Sequence, residues 1–346
     1  MTTRKTSLLA VMLTLGVISC QNKQTQPQPV TPDPVPATSF IKGADVSWIT
    51  QQEASGVRFY QPNGKADDIF AILKNKGINA IRLRVWVNPQ GGWNGADDVL
   101  AKAKRAKAAG MKLLIDFHYS DSWADPAQQT KPAAWTTLPF TDLRKAVFDH
   151  TVNVMNQLKI NGIIPEWVQV GNETNDGMLW PDGRASTNMA NFAALITTGY
   201  EAVKYMSPTS QVIVHVSNGY DKALFQWLFS GLASNNAKFD VIGMSMYPLA
   251  SDWAVKNQQC LSNINELITQ YKKPVMVVEV GMPANDPATA KAFITDLRTK
   301  LKSVPNGNGL GVFYWEPQAY KLWQGYGLGA FDDAGKPTTA LDAFLD

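Results

Sequence analysis

From position 40 onward, short apolar runs alternate with amphipathic stretches, and the alternation repeats eight times. The apolar runs are 41–48 (IKGADVSW), 80–87 (AIRLRVWV), 112–119 (KLLIDFHY), 167–171 (WVQVG), 212–216 (VIVHV), 241–246 (VIGMSM), 275–280 (VMVVEV) and 311–315 (GVFYW). Near-continuous apolarity over so few residues predicts strands buried on both faces, hence a parallel sheet. Between them lie helical patterns such as 66–76 (ADDIFAILKNK) and 96–109 (ADDVLAKAKRAKAA). The second begins with acids and ends with Lys and Arg, the order that suits a helix dipole. Gly77 and Gly110 follow these helices where a C-terminal cap is expected. Eight strand–helix steps predict an α/β fold, a single (β/α)8 TIM barrel over 40–346. An open, doubly wound sheet is the competing fold. It would carry a Gly-rich turn after the first strand, and the loop at 49–65 is instead long and polar.

The first 39 positions break this rhythm. Arg4 and Lys5 precede an apolar stretch at 7–18 that is too short to span a bilayer comfortably. Small residues then lead to Cys20, the pattern of a secretory signal. The run VISC at 17–20 resembles a bacterial lipobox, in which cleavage leaves the cysteine as a lipid-bearing first residue. The following stretch, QNKQTQPQPVTPDPVPATS, holds five prolines and too few apolar residues to bury a core. The organisation expected is a lipoprotein signal peptide at 1–19, a Pro/Gln-rich linker at 20–39 and a catalytic barrel at 40–346. The implied location is a bacterial membrane, periplasmic or cell-surface, with the protein secreted across the inner membrane and anchored through Cys20.

Charge and composition narrow the partners. The formal charge is +3, and loss of residues 1–19 with Arg4 and Lys5 leaves +1. That balance offers no electrostatic case for nucleic acid. Two cysteines and three histidines leave little material for a metal site or a disulfide scaffold. With Cys20 lipidated, Cys260 is a lone, inert thiol, and no metal or cofactor is expected. The protein is read as a monomer. The 11 Trp and 10 Tyr suggest a surface that stacks on something flat.

Barrel chemistry collects at the C-terminal ends of strands, and polar or aromatic residues stand there in nearly every run. They are Asp45 and Trp48; Arg82, Arg84 and Trp86; Asp116, His118, Tyr119, Asp121 and Trp123; Asn172 and Glu173; His215 and Asn218; Tyr247; Glu279; and Trp315 with Glu316. Glu173 and Glu279 follow strongly apolar strands, where a charge is costly unless used or paired. On the fourth and seventh strands they would face each other across the barrel mouth. Two carboxylates sharing a cleft can hydrolyse a glycosidic bond, one protonated to assist the leaving oxygen and one ionised to attack. Arg82 is the expected cationic partner of the ionised carboxylate, with Arg84 of the same parity able to share that role. Tyr247 could donate to the same carboxylate, and Asn172 could bind a sugar hydroxyl. Trp86, Trp123, Trp180, Trp315 and Trp323 are candidates for sugar stacking, whereas Trp167 and Trp227 are expected in the core. Asp45, Asp116, His118, His215 and Asn218 are further candidate substrate contacts. By strand alternation Glu316 would point away from Trp315 and serve a structural role.

Several stretches carry a family resemblance: GADVSW (43–48), GINAIRLRVWVNP (77–89), DFHYSDSWADPAQQTKPAAW (116–135), VGNETNDGMLWPDGR (170–184) and GLGVFYWEP (309–317). Together they resemble the arabinogalactan endo-β-1,4-galactanases, glycoside hydrolase family 53 of clan A, from about residue 41 to the C-terminus. The resemblance implies retaining, endo-acting cleavage of β-1,4-galactan, the side chain of type I arabinogalactan in pectin. It implies Glu173 as acid/base and Glu279 as nucleophile. Some bacterial members carry a metal-binding insertion after strand seven. Here 282–309 is short and holds only Asp286 and Asp296 as acids, so no structural calcium is expected. The alternatives are a clan relative acting on mannan, xylan or glucan, and a non-catalytic galactan-binding surface lipoprotein. A structural envelope anchor would explain the linker but not the strand-end residues.

Overall fold

The computed structural model describes residues 1–3 and 40–346. The signal, Cys20 and linker expectations fall outside them. Eight parallel strands close into a barrel in sequence order: β1 (Ile41–Asp45), β2 (Ala80–Val85), β3 (Lys112–Phe117), β4 (Trp167–Val170), β5 (Gln211–Val216), β6 (Val241–Met246), β7 (Val275–Val280) and β8 (Gly309–Trp315). Each apolar run of the sequence is one of these strands. The first three end two or three residues early because the chain peels off the barrel into the loops of its mouth.

The helices are α1 (Ile49–Ala54), α2 (Ile69–Asn75), α3 (Ala96–Ala108), α4 (Phe140–Ile160), α5 (Ala185–Met206), α6 (Lys222–Ser234), α7 (Trp253–Tyr271) and α8 (Pro287–Lys302). Asp68 caps α2, accepting from the Phe70 N–H at 2.7 Å. Gly77 and Gly110 lie at positive φ after α2 and α3, a backbone that costs glycine little. No α-helix follows β8. A 3-10 segment, Thr339–Phe344, packs on α8 in its place and is tied to α2 by a 2.6 Å Lys76–Asp342 ion pair.

Two apolar layers result. The outer one fills the space between sheet and helices. The inner one closes the lower barrel with Ile41, Ala80, Leu114, Trp167, Ile213, Val241, Met276, Val278 and Phe313. Gly43 completes it, because the Phe313 ring occupies the space a Cβ at this position would need. Trp167 thus belongs to the core, whereas Trp227 on α6 is 44% exposed, contrary to expectation.

The strand β7 departs from alternation. Met244 pairs with Val277, but Ser245 pairs with Glu279, so Val278 is passed over in a bulge. Val275, Val277 and Val280 face the helices, while Met276 and Val278 face inward. The extra residue turns Glu279 to the interior as well, the re-aiming that bulges perform.

Candidate active site

Toward the C-terminal ends of the strands the barrel interior becomes polar. Asp45, Arg82, Asp116, Gln169, His215 and Ser245 are all buried there, with Glu279 above them. Arg82 is the hub. Its Nη1 lies 2.8 Å from Asp45, and its Nη2 lies 2.9 Å from Asp116 and 2.8 Å from Glu279 Oε1. It also donates to Asn172 Oδ1 at 2.9 Å and to Gln169 Oε1. Three carboxylates around one buried guanidinium raise its pKa against the opposing effect of burial.

Glu279 accepts a second bond from the Tyr247 hydroxyl at 2.9 Å. Burial and the adjacent carboxylate push that phenol well above its usual range, so Tyr247 stays a donor. Glu173 sits just past β4 at φ 42°, after Gly171 at φ 82°. This left-handed corner, costly for a non-glycine residue, carries its side chain to the cleft. Its Oε1 accepts from Ser245 Oγ at 2.7 Å, and among the described residues no cation pairs with it. Burial drives both carboxyls up, Glu173 to about 7 and Glu279 to about 8, with the Glu173 charge raising Glu279 further.

The cleft over these groups has a volume of about 600 Å³. Glu173, Glu279, Tyr247, Asn172 and His118 line it, with Trp48, Trp86, Trp93, Trp123, Trp315 and Tyr326 as its aromatic walls. The tryptophans meet edge to face: Trp48–Trp315 at 5.2 Å, Trp86–Trp123 at 5.2 Å and Trp123–Trp315 at 5.9 Å between ring centres. His118 Nδ1 accepts from Trp86 Nε1 and from the Ala124 N–H, leaving Nε2–H to donate to Asp116 at 3.0 Å.

Several expected substrate contacts do not reach the cleft. Asp45 and Asp116 are fully buried, and their oxygens are taken by Ser47, Arg82, Gln169 and His118. His215 is equally buried beneath Glu173. Asn218 accepts from the Tyr220 hydroxyl outside the cleft. Trp180 donates to the Asp176 carbonyl and carries Arg184 over its ring, and Trp323 also lies off the lining.

Arg84 does not assist Glu279. Its Nη1 pairs with Glu316 at 2.5 Å, and its guanidinium lies 4.4 Å from the Trp123 ring centre, 5.1 Å from Trp48 and 5.4 Å from Trp86. It braces the aromatic floor from below. Glu316 plays a structural role, but for a different reason than alternation. At φ 46° it breaks the strand pattern and turns into the barrel, where Trp48 N–H and Gln318 also bind it.

Trp48, expected at the end of the first strand, lines the cleft, whereas Gln169, Ser245, Trp93 and Tyr326 are not among the residues the sequence singles out. Gln169 and Ser245 were findable, as lone polar residues at inward positions of WVQV and VIGMSM. Trp93 and Tyr326 come from loops without a local signal. Among the described residues, no group of three or more His, Cys, Asp or Glu side chains is arranged to hold a metal ion.

Comparison with known proteins agrees with this layout. The family model for glycosyl hydrolase family 53 matches residues 41–344. The chain belongs to that family. A Neosartorya fischeri protein described as a probable arabinogalactan endo-β-1,4-galactanase A is 36% identical over 303 residues, covering 81% of this chain and 85% of that protein. The arabinogalactan endo-β-1,4-galactanase of Thermothelomyces thermophilus is 35% identical over 297 residues, 80% of this chain and 89% of that one. A solved fungal β-1,4-galactanase superposes with a TM-score of 0.82 at 33% identity, over 88% of this chain and 98% of the other. As a family 53 member, the chain carries the glycosidase frame that its paired strand-end carboxyls outline.

Proposed function

We propose that this protein is an arabinogalactan endo-β-1,4-galactanase that cleaves galactan by a retaining double displacement. The observation that carries the mechanism is the unequal treatment of two buried carboxyls. Two carboxylates in one dry pocket are not ionised together cheaply, so the pair keeps a proton. Taken singly, the higher value of Glu279 would leave the proton there, but the direct contacts argue the reverse. Arg82 and Tyr247 both donate to Glu279, whereas among the described residues Glu173 receives only a neutral serine hydroxyl. A guanidinium at 2.8 Å favours the carboxylate far more than a hydroxyl does, so Glu173 holds the proton.

Glu279 then attacks the anomeric carbon while Glu173 protonates the departing glycosidic oxygen. The result is a galactosyl ester on Glu279. Glu173, now ionised, removes a proton from water, which attacks the same carbon and releases Glu279. Two inversions return the original configuration. Asn172, held by Arg82, presents its amide beside the reacting ring, and the tryptophan walls stack on flanking sugars.

The full chain is read as a lipoprotein that carries this barrel on a Pro/Gln-rich linker from a lipidated Cys20, at a bacterial membrane facing the periplasm or the outside. The VISC run and the proline-rich stretch support that placement. A product time course on linear β-1,4-galactan, run beside mannan, xylan and glucan, tests the activity. Rapid appearance of mid-length galacto-oligosaccharides is expected. Release from mannan but not galactan would overturn the substrate assignment.

A further inference from the structure

We propose that His215 and Ser245 form a one-way hydrogen-bond chain, anchored on Gln169, that keeps the acid proton of Glu173 on Oε2. Both are positioning residues, and the inference rests on the reading of Glu173 as the acid/base.

The direction of the chain follows from Arg82. Its Nε and Nη2 face one end of the Gln169 amide at 3.3 and 3.2 Å, so that end is the oxygen. The amide nitrogen must then point the other way, toward Asp116 Oδ1 at 2.5 Å and His215 Nδ1 at 2.9 Å. The Glu173 backbone N–H also approaches Nδ1, at 3.3 Å. With two N–H groups aimed at it, Nδ1 is the bare nitrogen and the ring proton sits on Nε2. Asn172 Oδ1, 3.0 Å from Nδ1, would favour the opposite tautomer. It already accepts from Arg82, however, and that tautomer would set an N–H against both the Gln169 amide and the Glu173 N–H.

His215 Nε2–H therefore donates to Ser245 Oγ at 2.6 Å. The serine hydrogen is left for Glu173 Oε1, 2.7 Å away. An oxygen that accepts this bond is a poor place for the acid proton, which goes to Oε2. Among the described residues no protein donor reaches Oε2. One guanidinium thus governs both carboxyls, Glu279 by contact and Glu173 through three intervening side chains. The charged groups near Glu173 are Arg82, Asp116, Asp125 and Glu279, with His215 neutral and Tyr247 protonated.

Ser245→Ala tests the chain. Loss of a donor to the carboxylate raises its pKa, so the alkaline limb of kcat/KM moves up by about half to one pH unit. On galactan, kcat/KM falls about tenfold, within the span general acid catalysis covers. A dinitrophenyl β-galactobioside, whose leaving group needs no proton, loses less than about twofold by the same argument. Ser245→Thr keeps the hydroxyl and restores the limb. Equal losses on both substrates with an unmoved limb would overturn the chain. Glu173→Ala separates the two ideas: if it still cleaves galactan at the parent rate, the acid assignment itself is wrong.

Discussion

Arg82 Nη2 lies 2.8 Å from Glu279 Oε1, and the same guanidinium holds Asp45 and Asp116 at the bottom of the polar layer. Substituting Arg82 with Met strands three buried carboxylates. Such losses cost about 3–5 kcal/mol of stability, so a marked fall in Tm is expected with near-complete loss of kcat. Arg82→Lys keeps the charge but lacks the planar fork that serves several acceptors. It should recover part of the Tm and little of the activity. Thermal melts and kcat/KM on galactan together check this, and a fully active Lys variant would contradict it.

The alkaline side of the pH profile should report Glu173. Its burial moves the carboxyl from the ordinary range up to about 7, and in the proposed mechanism the protonated form is the acid. Activity should therefore persist to near neutrality and fall above pH about 7. A limb near the unperturbed value of about 4.3 would mean that the pocket does not desolvate Glu173.

His150 sits on α4 among Phe117, Tyr119 and Trp135, with a buried Nε2 that has no partner among the described residues. Burial lowers its pKa from 6.5 to about 4. The neutral ring is compatible with the fold, so its contribution is whole above pH 6.5 and is lost as the pH falls through about 4. His150→Phe should remove up to about 3 kcal/mol of acid destabilisation. Urea unfolding at pH 4 and pH 7 measures it. An unchanged difference between the two pH values would sink the idea.

Arg84 and Glu316 form a buried pair beneath the tryptophans. Arg84→Met leaves Glu316 alone and should lower stability by about 3–5 kcal/mol. Adding Glu316→Gln should return much of that, because the unpaired charge is gone. With the aromatic floor unsupported, KM for galactan should rise more than kcat falls. Melting curves and steady-state kinetics of the single and double variants decide it.

Gly43→Ala forces a methyl into the Phe313 ring. Overpacking of this kind costs about 1–3 kcal/mol. Phe313→Leu in the same chain should relieve it. A Gly43→Ala protein with unchanged Tm would show that the inner layer yields more easily than its packing suggests.

Strand periodicity made the barrel legible, because eight apolar runs separated by helical patterns admit few architectures. Carboxyls ending apolar strands marked Glu173 and Glu279 for the same local reason. What stayed hidden was the distance of each polar residue from water. Asp45, Asp116 and His215 look like Asn172 in sequence, yet they lie one layer lower, neutralised by side chains from other strands. Parity fails at Glu316, turned by its own left-handed backbone, and the core expectation fails at Trp227, set on the open side of its helix. Gln169 and Ser245 carry no charge to attract notice, and only their partners reveal what they orient.

The bulge in β7 has a wider meaning. Were that strand regular, residue 279 would sit on the helix side and residue 278 in the barrel. The chain therefore holds its proposed nucleophile through a slip in phase between two halves of one strand. Pairing all six residues of β7 in regular register would turn the glutamate outward, whereas deleting Val278 together with the bulge would leave it facing the interior. In this family position the spacing of the backbone is as much a part of the chemistry as the carboxyl it carries.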